Sequence, residues 1–324
     1  MARAARRADS PYVYVVHLLI KSFIGLGVAA LAAGLALTVM PGLSLVVVPG
    51  LKSTSPYCTV WQGMRETSVK LRQGELSGEI RKGTRLVKTE GGLKLWHTAK
   101  LGDWWVSGTS DEILPTLLAQ QERYIYGDAS TGGVRPGDIV IDAGAHVGTF
   151  AKKALRDGAK LVIAIEPAPS AVECLRRNLR EEIAAGKVIV MPEGIWDRED
   201  SLALFDNGNG NAGDSFVNQG KGAKAVKGIR VRPIDSMVAD LKLERVDLIK
   251  ADVKGATEKG LIGATATIQR WKPRIVLSTE EPPEDPGSLT KLVTKLVATY
   301  QLRPGPCVFD GEEIRSETVA YSVR

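Results

Sequence analysis

Asp142, Gly144, Gly148 and Glu166 are the residues of this sequence whose types and spacing best suit chemistry. Asp142 follows a β-branched run, Ile139, Val140 and Ile141, which itself follows the turn-forming Arg135, Pro136, Gly137 and Asp138; it therefore stands at the tip of an expected buried strand. Gly144 and Gly148 fall in the connection to a helix in which Phe150, Ala151, Ala154 and Leu155 recur at roughly helical spacing. Glycine there permits a sharp turn and lets a ligand approach the N–H groups of the helix N-terminus. A dinucleotide fingerprint spaces its glycines G-x-G-x-x-G to seat a pyrophosphate, whereas here an acid precedes G-x-x-x-G. Two phosphates would be repelled by that carboxylate. A sulfonium with an amino-acid tail would not, which points to S-adenosylmethionine. A second expected strand at 161–165 ends in Glu166, 24 residues after Asp142, where an acidic strand tip can hold both hydroxyls of a ribose. Singly, Asp142 could cap the helix and Glu166 could be a solvated strand end; together with the glycines they bracket one nucleoside.

These motifs, with others downstream, give residues 104–324 a resemblance to class I S-adenosylmethionine-dependent methyltransferases, and specifically to the FkbM family. Residues 136–150 resemble its first motif, and 165–169 with Leu175 and Asn178 its second. Residues 246–256 resemble its third block, and 121–127 the segment that precedes its first strand. The resemblance implies a Rossmann-like α/β fold, a mostly parallel sheet with helices on both faces. It also implies a cofactor site drawn from Asp142, Gly144, Ala145, His146, Gly148, Thr149, Glu166, Pro167, Gly194, Trp196 and Asp252. Trp196 would stack on the adenine or simply pack in its loop.

One departure bears on catalysis. The family's third block usually reads Asp-x-Glu-Gly-Ala-Glu, and here Lys254 and Thr257 replace the two glutamates while Asp252 remains. Strand tips carry the chemistry of open α/β sheets, so the change alters the expected acceptor pocket. Asp252 is the expected base or orienting group. Lys254 would recognise an anionic acceptor, be solvated, or mark a protein that binds cofactor without turnover; Glu280, after the fifth strand, could replace a lost carboxylate. The expected activity is O-methylation of a saccharide, lipid-linked or small-metabolite hydroxyl, and the alternative is a tethered scaffold that has lost the reaction.

The elements that must position these residues alternate as a parallel sheet requires. Strands are expected near 139–143, 161–165, 187–191, 246–250 and 274–278, with helices at 149–156 and 169–184. The glycine-rich stretch 206–214 reads as a mobile substrate loop or a plain hairpin turn. Upstream, 51–115 reads as a small β-rich lead-in, with 75–87 mixing turn glycines and short strands, and 111–126 as a helix within or beside the 116–324 catalytic domain. Its tryptophans are core residues or would dock on a membrane surface.

The N-terminus carries a separate signal. After a basic segment at 1–17, no charge occurs between Ser22 and Leu51, enough apolar chain to cross roughly 30 Å of hydrocarbon. Residues 18–50 are therefore an expected membrane anchor. Roughly twenty residues precede the apolar run, which disfavours a cleaved signal peptide. Arg3, Arg6 and Arg7 are nearly balanced by Lys52, Arg65 and Lys70, so charge does not orient the anchor; cofactor supply favours a cytoplasmic catalytic domain. The net charge of +6 is scattered, with no aromatic-interleaved basic patch, which argues against nucleic acid. Cys58, Cys174 and Cys307 are odd in number and far apart, so they read as reduced, and no metal is expected.

Overall fold

A computed structural model describes residues 53–107, 110–123, 125–206, 214–216, 224–279, 286–310 and 313–323. The expected basic segment, the anchor at 18–50, most of the glycine-rich stretch and Glu280 lie outside these residues. Among the described residues no helix is long and apolar enough to cross a membrane.

The lead-in differs from its expectation. After the short β1 (Ser53–Thr54), residues 60–82 form one 23-residue helix, α1 (Val60–Lys82), which runs straight through Gly74 and Gly78. Thr59 Oγ1 accepts from the Gln62 N–H at 3.1 Å, and Gln62 Oε1 accepts from the Thr59 N–H at 2.8 Å, a capping box that starts the helix. Each interior glycine costs about 1 kcal/mol against alanine, but packing against the neighbouring helix and hairpin overrides that propensity. The helix is hard to read because much of it is solvated: Trp61 and Leu71 are exposed. Then follow the meander β2 (Thr84–Glu90), β3 (Leu93–Thr98) and β4 (Gly102–Ser107), and α2 (Ser110–Glu122). Trp104 is a core residue of the meander, 3% exposed, with its indole N–H donating to Leu101 O at 3.0 Å.

The cysteines require a second correction. Cys58 and Cys307 form a disulfide across 249 residues, joining the approach to α1 to a C-terminal hairpin; only Cys174 is a free thiol, and it is buried. An odd count hides a pair whose partners meet only in three dimensions.

The rest of the chain holds the five expected strands (β5, β6, β7, β11 and β12) and the expected helices in order, with further elements between and after them: β5 (Ile139–Ala143), α3 (Thr149–Arg156), β6 (Leu161–Ile165), α4 (Pro169–Asn178), α5 (Arg180–Ala184), β7 (Val188–Met191), β8 (Gly194–Ile195), β9 (Asp200–Asp206), β10 (Lys224–Arg232), α6 (Ile234–Asp240), β11 (Leu248–Ala251), α7 (Thr257–Ile262), α8 (Thr265–Trp271), β12 (Arg274–Ser278), α9 (Pro286–Leu296), β13 (Gln301–Pro304), β14 (Cys307–Asp310), β15 (Glu313–Ser316) and β16 (Thr318–Ser322). The expected 169–184 helix breaks at Leu179 into α4 and α5. Seven strands form the central sheet in the order β13-β16-β12-β11-β5-β6-β7, parallel from β12 to β7, with β16 reversed. Alternation sends Ile139, Ile141 and Ile249 to one face, under Met237, Ile268 and Val293, and Val140, Val162 and Leu248 to the other, under Phe150 and Leu175. From β5 the chain winds to β6 and β7 on one side and later to β11 and β12 on the other, so a crevice opens beyond the carboxyl ends of β5 and β11.

Candidate functional site

The β5 turn meets the β11 tip at that crevice. Gly144 and Ala145 donate their N–H groups to Ile165 O at 3.0 and 3.1 Å, and Asp252 N–H donates to Ala143 O at 3.0 Å. Gly144 has φ +77°, and a Cβ there would lie 2.1 Å from the Asp252 carbonyl oxygen. Gly148, at φ +92°, caps α3, and its Cβ would strike Leu175 at 2.7 Å. The glycines therefore serve backbone crossing and helix packing. Gly144 nonetheless lines the crevice, whereas Ala145, Gly148 and Thr149 do not.

Asp142 is fully buried, with Oδ1 2.9 Å from Lys250 Nζ and Oδ2 meeting no donor, and it is not part of the crevice wall. Complete burial pushes its carboxyl up against the pull of the ammonium. Lys250 also donates to Gly144 O at 2.8 Å and lies 5.2 and 5.6 Å from the ring centroids of Tyr126 and Phe150. One buried cation thus clamps the glycine turn. Period-two alternation places Lys250 on the same buried face as Leu248, a signal for a paired core cation; its partner became visible only when β11 and β5 aligned Lys250 with Asp142.

The crevice has a cavity volume of about 110 Å³, and Gly144, His146, Glu166, Pro167, Gly194, Asp252 and Lys254 all line it. Glu166 ends β6, 5% exposed; its Oε2 accepts from His146 N–H at 2.8 Å and its Oε1 from Ala168 N–H at 2.9 Å. Burial, reinforced by the nearby Asp214 carboxylate, outweighs those two N–H groups and pushes its pKa up to about 7. Asp252 Oδ2 accepts from the Tyr126 hydroxyl at 2.6 Å, and Tyr126 is held edge-on to Phe150 at 5.3 Å.

Asp214, the end of the glycine-rich stretch read as a substrate loop or a turn, lines the crevice together with Ser215 and Phe216, which had no sequence signal, and Ser215 Oγ donates to Lys254 O at 2.9 Å. Phe216 stands where Trp196 was expected: Trp196 does not line the crevice but packs edge-on to Phe216, 6.0 Å away. Thr257 is likewise off the wall, 1% exposed, donating to Val253 O at 3.2 Å, so of the two replaced glutamates only the Lys254 position faces the crevice. Among the described residues no group of three or more His, Cys, Asp or Glu could hold a metal ion.

Residues 142–303, half of the chain, match the family model of the methyltransferase FkbM domain. Solved structures with similar folds include the methyltransferase FkbM of Methylobacillus flagellatus KT, at 16% identity over 80% of this chain and 60% of that one, with a TM-score of 0.44. The precorrin-6y C5,15-methyltransferase of Geobacter metallireducens GS-15 matches at 15% identity over 59% and 81%, TM-score 0.34. The magnesium protoporphyrin IX methyltransferase of Synechocystis PCC 6803, with bound SAM, matches at 15% over 67% and 78%, TM-score 0.35. The chain thus spans 60% of the length of the first of these. No curated protein matches the sequence.

Proposed function

We propose that this chain, which belongs to the FkbM methyltransferase family, transfers a methyl group from S-adenosylmethionine to a hydroxyl oxygen. The observation that carries the reading is the crevice wall: three carboxylates, Glu166, Asp214 and Asp252, face it with one cation, Lys254. That charge balance suits a sulfonium cofactor and opposes a pyrophosphate. Glu166 would take the ribose hydroxyls, Ile195 and Phe216 the adenine, and the Gly144–His146 turn the amino-acid end.

When bound, S-adenosylmethionine supplies an electrophilic methyl, which the acceptor oxygen takes as the carbon–sulfur bond breaks and its electron pair leaves on sulfur. Tyr126 holds Asp252 Oδ2, which leaves Oδ1 to receive the acceptor's hydroxyl proton. Lys250 fixes the turn against which the cofactor would be aligned. Retention of an oriented Asp252 favours an enzyme over a scaffold. The acceptor is a saccharide, lipid-linked or small-metabolite hydroxyl, and residues 18–50 tether the enzyme to the bilayer.

Full-length protein given S-adenosylmethionine and membrane or soluble extract should add one methylene mass to an extract component, and Asp252→Asn should slow this by at least about a hundredfold with S-adenosylhomocysteine affinity unchanged. Undiminished turnover in Asp252→Asn would remove the base.

A further inference from the structure

Tyr126 links two clefts. Its hydroxyl donates to Asp252, which lines the crevice described above, and Tyr126 itself lines a second cleft of about 360 Å³ over β12 and β16. Arg123, just past the end of α2, stands in the wall of that second cleft with its side chain only 7% exposed. Its Nη2 is bound to Glu317, while Nε and Nη1 are buried and meet no acceptor. Such unmet donors on a desolvated guanidinium are costly, and a guanidinium is the side chain best suited to grip an oxyanion.

Glu317, 3% exposed, is shared between Arg123 and Lys70, whose Nζ lies 3.6 Å from it, so two cations meet one buried carboxylate. Glu66 is already engaged by Arg65 at 2.9 Å and by the Cys307 N–H. Asp128 sits at the exposed rim, where Ser130 and Thr131 donate to it and hold its carboxyl below the usual range. The wall of the cleft thus sets Arg123 beside two carboxylates, Glu66 and Asp128, that other donors already engage.

Building on the methyl-transfer reading, we propose that this second cleft is an acceptor subsite, in which Arg123 binds a carboxylate or phosphate carried by the acceptor while Tyr126, whose hydroxyl holds Asp252, sets the acceptor's hydroxyl beside that carboxylate. Arg123 is then a specificity residue: it selects acidic acceptors and takes no part in holding the cofactor.

The test uses the full chain saturated with S-adenosylhomocysteine and titrated calorimetrically with inorganic phosphate and, separately, with acetate. One of the two anions should bind, and which one does separates a phosphate-bearing from a carboxylate-bearing acceptor. Arg123→Lys keeps a cation for Glu317 but loses the planar donors, and should weaken that anion about tenfold or more with S-adenosylhomocysteine affinity unchanged. Asp128→Asn, at the exposed rim, should tighten it about two- to threefold. If neither anion binds the wild-type chain, or if Arg123→Lys binds it equally well, the subsite is overturned. Loss of S-adenosylhomocysteine binding by the wild-type chain would instead sink the cofactor reading, and is read in a separate titration.

Discussion

Titration of the Glu166 carboxyl should govern cofactor affinity across the neutral range. The group is buried at the tip of β6 and its pKa is raised from 4.5 to about 7, first by desolvation and then by Asp214, against the pull of the His146 and Ala168 N–H groups. Ribose hydroxyls donate hydrogen bonds, so they favour the ionised form. Near pH 5.5 only about one molecule in thirty has that carboxylate ionised, and the dissociation constant for S-adenosylhomocysteine should be about thirtyfold weaker than its plateau above pH 8. Between those limits calorimetry in buffers of different ionisation enthalpy should detect release of close to one proton on binding. Stability should move in the opposite sense. A carboxyl raised on folding binds more protons in the folded state, so its contribution is complete below about pH 4.5 and is lost as the pH rises through about 7, a change of about 3 kcal/mol. Glu166→Gln should flatten both profiles while weakening binding, and Asp214→Asn should shift the affinity profile to lower pH. An affinity that stays constant from pH 5.5 to 8 in the wild-type chain would refute the assignment of Glu166 to the ribose.

Gly144→Ala should lower stability by about 3 kcal/mol or more, because its methyl would lie 2.1 Å from a carbonyl oxygen at positive φ; a melting temperature within a few degrees of wild type would contradict that packing. Lys250→Met should cost about 3–5 kcal/mol by leaving the buried Asp142 charge unpaired, and adding Asp142→Leu should recover much of the loss in chemical denaturation. Removing the Cys58–Cys307 bond by Cys58→Ser should cost about 2–5 kcal/mol. Such bonds are rare in the cytosol, which weighs against a cytoplasmic catalytic domain; alkylation in intact cells followed by denaturation should label Cys174 alone, and labelling of all three cysteines would refute an oxidised pair.

Local pattern determined the alternating strands and helices of the core, because β-branched runs and helical spacing act over a few residues. It also brought His146, Glu166, Pro167, Gly194, Asp252 and Lys254 to one crevice, since strand tips of a doubly wound sheet converge by topology. Tertiary structure alone decided what those residues touch. Asp142 stands at a strand tip in the sequence, and the register of β5 and β11 puts Lys250 opposite it, since a buried carboxylate takes the nearest buried cation. Phe216 reaches the crevice from a stretch with no periodic signal, Tyr126 meets Asp252 across 126 residues, and the Cys58–Cys307 bond joins positions 249 residues apart. Burial and charge pairing depend on contacts between distant segments. Sequence therefore named the crevice, and the fold chose which of its acids remain open to a ligand.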